Sequence, residues 1–176
     1  MGQGFDFEDL QDTPEDGRGY EVLDGVLVVS PAPPPLHQRV VGRLYRILSD
    51  AAPPGMEVFT SPLAWWIATG QVPEPDVMVA RDSAVGERAI VAAPELVVEV
   101  LSAWGRRRDT HDKRDLYAAG GCPCYWIVDP DEPSLTVLAL SGQQYEDLVR
   151  VVGGEAYEAA EPFRVRVVPI DLVRQR

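Results

Sequence analysis

Pro94-Glu95-Leu96-Val97-Val98-Glu99-Val100-Leu101 is the stretch whose reading decides the fold. Leu96 to Leu101 is almost continuously apolar, which suits a central strand covered on both faces better than a surface strand that alternates. Side chains alternate along a strand, so residues 97, 99 and 101 share one face. A charge inside such a run is costly unless it is paired or holds a metal. Glu99 therefore makes this strand a place to look for chemistry as well as for the core.

Working outward, Asp109 to Ala119 reads as the following helix, with Asp109 or Thr110 as its cap and Gly120-Gly121 as its stop. Cys124–Val128 reads as a further buried strand, and Leu135–Leu140, Gln144–Val151 and Phe163–Val168 as later ones. Upstream, the pattern predicts strands at Met56–Thr60, Leu63–Ala68 and Asp76–Ala80. Leu36 to Ala52 has the i, i+3/i+4 rhythm of a helix and ends at Pro53-Pro54-Gly55. Tyr20–Leu23 and Val26–Val29 flank Asp24-Gly25, a pair that supplies the positive φ angles of a tight hairpin turn. A short helix fits Phe5–Leu10. The expected fold is a mixed α/β sheet flanked by helices, with an N-terminal β-hairpin. Residues 1–19 form an acidic segment, and 20–176 read as one domain.

Composition narrows the function. The chain has 176 residues, 16 of them basic and 28 acidic, giving a net charge of −12. Such a balance argues against coating nucleic acid with a broad basic face. It leaves room for an enzyme that grips a short stretch of phosphate, because a divalent cation and a few arginines reverse the sign locally. No run approaches a membrane span, and the acidic start lacks a basic secretory n-region. The cytoplasm is the expected compartment, with no membrane partner. Cys122 and Cys124, separated only by Pro123, read as reduced packing residues. Fifteen arginines carry nearly all the positive charge, and the sole lysine is Lys113.

Three features converge on a site. Pro75-Asp76 places an acid at a strand start, Glu99 interrupts the apolar run, and Lys113 lies beside the apolar stripe of the next helix. Two carboxylates close together repel, and a hard divalent cation relieves that repulsion. Oxygen ligands without nearby His or Cys favour Mg2+ or Mn2+. The residues alone leave another reading open, in which Asp76 caps a turn, Glu99 pairs with one of Arg106–Arg108 and Lys113 is solvated. Arg106, Arg107 and Arg108 are a solvated charge run or phosphate contacts. His37 is a helix-start hydrogen bonder or a residue of the site mouth. Of the adjacent Trp65 and Trp66, one should face the core and the other be exposed.

Pro75-Asp76 followed by Glu99-Val100-Leu101 resembles the PD-(D/E)xK nuclease superfamily. More closely, the chain resembles the restriction-endonuclease family called Uma-two. The similarity runs through Tyr20–Gly25, Ser30–Pro33 with His37-Gln38, Pro73–Asp76, Pro94–Ser102, Arg106–Asp109, Asp112–Arg114, Leu116-Tyr117 and Tyr125–Pro130. The resemblance implies a restriction-endonuclease-like sheet core and a Mg2+- or Mn2+-dependent endonuclease acting on DNA. It implies Asp76 and Glu99 as metal ligands with the Val100 carbonyl as a third, Glu21 completing the shell, and a homodimer. The superfamily lysine stands two residues after the second acid. Leu101 occupies that place here, and the resemblance assigns the role to Lys113. Where the family continues Pro-Ser after the serine, this chain has Ala103-Trp104. A non-catalytic module that keeps the fold, or an enzyme on a small phosphorylated or nucleotide substrate, are the competing functional readings.

Overall fold

A computed structural model describes residues 4–175. Six strands form the main sheet in the order β3 (Met56–Thr60), β4 (Val77–Arg81), β5 (Leu96–Val100), β6 (Cys124–Asp129), β7 (Ser134–Ser141) and β8 (Gln144–Val152). β5 and β6 run parallel, with Glu99 opposite Ile127, and every other neighbouring pair is antiparallel. All five residues of β5 are buried, as the apolar run predicts.

Alternation along the strands divides the core between the two faces. Val77, Val79, Leu96, Val98, Val100, Trp126 and Val128 pack on one face against Val40, Leu44 and Leu48 of α2 (Pro35–Ala51). Met78, Ala80, Val97, Tyr125 and Ile127 pack on the other against Trp65 and against Tyr117 of α3 (Lys113–Ala119). Pro35 suits the first turn of α2, where the missing N–H costs nothing.

β1 (Gly19–Leu23) and β2 (Val26–Ser30) form the expected hairpin, with Asp24 at φ 52° and Gly25 at φ 72°. The hairpin docks through two backbone hydrogen bonds between Val22 and Val72, of 3.0 and 2.8 Å. α1 (Phe7–Gln11) covers this hairpin with buried Phe7 and Leu10, and Phe7 stacks on half-exposed Trp66.

Three local expectations change. Leu63–Ala68 is a folded-over loop rather than a strand. Trp65, Trp66 and Ile67 donate their N–H groups to Pro73, Ile90 and Gln71, so the buried backbone is satisfied without joining the sheet. The helix expected from Asp109 opens as a π-helical turn over Arg108–Asp112 and becomes α-helical only at Lys113. At the C-terminus, β9 (Tyr157–Ala159) pairs with β10 (Val165–Val167), and α4 (Pro169–Val173) buries Leu172 against α2, a helix too short for periodicity to reveal. Among the described residues, no helix is long and apolar enough to cross a membrane. Cys122 and Cys124 are free thiols.

Candidate active site

Four separate segments deliver acids to one cleft on the α3 side of the sheet. β1 carries Glu21, whose Oε1 accepts a hydrogen bond of 2.9 Å from the Glu74 N–H. Because β1 is tied to Val72, that acid is held by backbone on both sides. Asp76 lies immediately before β4, and its Oδ2 accepts the Val100 N–H at 2.7 Å. His37, from the first turns of α2, places Nε2 3.2 Å from the same oxygen. Glu99 reaches the cleft from the centre of β5, where it shares a face with Val97 and Leu101.

Lys113 joins these acids. It is 4% exposed, and its Nζ lies 2.7 Å from Glu21 Oε1 and 2.8 Å from Glu99 Oε1. Tyr117, one turn further along α3, donates its hydroxyl to the same Glu99 oxygen at 2.5 Å. Asp109 stands four residues before Lys113, 3.8 Å from the ammonium, on the π-helical turn. π-Turns recur at functional sites because they re-aim side chains that a regular helix would disperse. Gly105 leaves room for the Asp109 carboxylate, since a Cβ there would come within 2.8 Å of Asp109 Oδ2.

The charges are strongly perturbed. Burial alone would discharge Lys113, but the carboxylates of Glu21, Glu99 and Asp109 outweigh it and hold its pKa well above the ordinary lysine value. Burial pushes Glu99 well above the usual carboxylate range despite Lys113, and the charges of Asp109, Asp76 and Glu21 push the same way. Asp109 is raised to about 6 by burial first, then by Asp76 and Glu21 against the pull of Lys113. Glu74 is raised to about 7 by burial and then by Glu21. Burial opposes protonation of His37, yet its hydrogen bond to Asp76 raises the pKa overall.

The donor set fits a hard cation. Five acids (Glu21, Glu74, Asp76, Glu99 and Asp109) face the cations Lys113 and Arg108 across one cleft of about 280 Å³. Among the described residues, Asp76 Oδ1 and Glu99 Oε2 take no hydrogen bond or ion pair, and both residues line the cleft. No three His, Cys, Asp or Glu side chains among those residues form a ready-made metal cage. Two carboxylates with water completing the shell is the arrangement Mg2+ tolerates best.

The structure thus brings together Glu21, His37, Asp76, Glu99, Val100, Arg108 and Lys113. Arg106 and Arg107 do not line the cleft. Arg106 instead holds Asp129 at 2.5 Å, with Asp131 at 3.4 Å. Sequence reasoning missed three residues. Asp109 and Tyr117 could have been found as the i−4 and i+4 neighbours of Lys113. Glu74 had no signal beyond lying two residues before Asp76.

Comparison with known proteins places these features in context. A family model described as "Uma2: Putative restriction endonuclease" matches residues 6–171. A crystal structure of a protein described as a putative nuclease belonging to DUF820, from Anabaena variabilis, superposes with a TM-score of 0.76. Its sequence is 18% identical, and the match covers 96% of this chain and 97% of that one, so the likeness speaks to the fold. No curated protein matches the chain.

Proposed function

Because the chain belongs to the Uma2 family of putative restriction endonucleases, we propose that it is a metal-dependent endonuclease that hydrolyses DNA phosphodiester bonds in the cleft around Asp76, Glu99 and Lys113. The observation that carries this reading is Lys113. The only lysine of the chain is buried, and it is held charged between carboxylates from two other segments. Buried, strongly perturbed charges of this kind cluster at functional sites.

Each residue then has a task. Lys113 cannot act as a base, because its neighbours keep it protonated. Its ammonium instead steadies negative charge that develops on the phosphate or orients the attacking water. Glu21, fixed by the Glu74 N–H, positions that ammonium. The Val100 N–H and His37 fix one oxygen of Asp76 and leave the other free. Asp109, with a pKa near 6, is ionised at neutral pH and still basic enough to take up a proton. A Mg2+ or Mn2+ ion held by Asp76, Glu99 and the Val100 carbonyl would polarise a phosphoryl oxygen and lower the pKa of a bound water. Arg108, the arginine of the run that lines the cleft, would contact phosphate.

Incubating the protein with DNA and Mg2+ or Mn2+, beside D76A, tests this directly. Metal-dependent nicking that D76A abolishes is the expected result, and cleavage unchanged in D76A rejects the assignment. One observation favours a second reading, a non-catalytic module: Lys113 already satisfies an oxygen of both Glu21 and Glu99 without a metal. In that case calorimetry with Mn2+ would show no binding and no cleavage would be seen.

A further inference from the structure

A tryptophan, Trp104, stands at the mouth of the cleft. Trp104 follows Ser102-Ala103, lines the cleft and is 47% exposed. The guanidinium of Arg108 lies 4.4 Å from the centre of its ring. Arg108 is itself turned toward the acids, 3.8 Å from Glu21 Oε2, so it ties the indole to the site. An aromatic ring half open to water beside a site offers a face on which another flat group can stack. Arg108 accounts for one side of the ring only.

We propose that Trp104, braced by Arg108, is a stacking platform for an unpaired base, and that the substrate of this cleft is single-stranded DNA. This rests on the nuclease reading of the same cleft and names its substrate class. Three observations favour a single strand over a duplex. The chain carries a net charge of −12, which repels a long polyanion that a short local grip could still hold. At about 280 Å³ the cleft is at the small end of ligand pockets and takes about one nucleotide at a time. Duplex DNA also hides the faces of its bases, so an exposed indole beside the reacting phosphate finds a partner only where a base is unstacked. Stacking on Trp104 would set the adjoining phosphate against Arg108 and Lys113.

The test is binding in EDTA at low salt, which does not depend on turnover. A fluorescein-labelled single-stranded oligodeoxynucleotide, its duplex and an RNA of the same sequence are titrated with wild type, W104A, W104F and W104L, followed by anisotropy. The single strand should bind more tightly than the duplex. W104A should weaken single-strand binding about 5- to 100-fold while W104F stays within about threefold, the behaviour of one base stacked on an aromatic ring. W104L should resemble W104A. The platform is overturned if W104A binds the single strand like wild type, if the duplex binds better, or if W104L matches W104F. Tighter RNA binding overturns the assignment to DNA. The two readings also fail separately. Trp104-dependent binding without Asp76-dependent cleavage removes the nuclease reading alone. Asp76-dependent cleavage with binding indifferent to Trp104 removes the platform alone.

Discussion

The two faces of β5 are both buried, but they are built on opposite principles. On one, Leu96, Val98 and Val100 meet α2 in a dry apolar layer. On the other, Val97 and Leu101 flank Glu99, whose carboxylate is held by Lys113 and Tyr117. The first face needs only volume and shape, and substitutions there cost what cavities cost. The second keeps charges in a poorly solvating place, where each is tolerable only while its partners remain. A strand so nearly uniform in burial shows that burial alone does not separate core from site. What separates them is whether the buried group demands a partner.

The largest expected effect comes from taking that partner away. K113M leaves Glu21 and Glu99 buried without their cation, so it should cost about 3–5 kcal/mol in urea unfolding and abolish cleavage. Adding E21Q and E99Q to K113M should return most of the stability and none of the activity. A triple variant as unstable as K113M would show that packing, not charge, governs this face.

Next, E74Q probes the acids through pH. Glu74 binds its proton more tightly when folded, with a pKa of about 7 against an ordinary 4.5. Ionising it therefore costs the folded state, and stability falls as pH rises from about 4.5 to 7. In EDTA, E74Q should lie on the order of 2–3 kcal/mol above wild type at pH 8 and match it near pH 4. Parallel pH profiles for the two proteins would contradict the crowding of charge.

On the apolar face, V98A should cost about 2 kcal/mol and leave the pH profile of unfolding unchanged. A changed profile would mean that the two faces are coupled through the strand.

The smallest effect is expected at the pair outside the cleft, where half-exposed Arg106 meets an Asp129 carboxylate that also accepts the Asp131 and Glu132 N–H groups. The hydrogen bond from Arg106 holds Asp129 below the usual carboxylate range. Its contribution is present above the ordinary carboxylate pKa and lost as pH falls through the lowered one. R106A should therefore cost at most about 1 kcal/mol near neutrality and nothing at strongly acid pH.

The residues alone were enough for the central strand, because an apolar run of that length admits few other solutions. They were enough as well for α2, through its periodicity, and for the hairpin, through Asp24-Gly25. They nominated Glu99 by its misfit and Lys113 by its rarity. The loop over Leu63–Ala68 was not legible, since its apolar pattern records burial and not whether the burying backbone belongs to a sheet. Nor was Glu74, because an acid beside a proline looks the same in solvent as in a cleft.

Local pattern, then, determined which segments are strands and helices and which polar residues sit where they should not. Tertiary structure alone decided which oxygens share one ammonium, that Arg108 turns into the cleft while Arg106 turns away to Asp129, and that Trp104 stands at the mouth. The reason is range. Backbone propensity acts over a few neighbouring residues, whereas ion pairing and desolvation depend on distances between segments that only the folded sheet brings together.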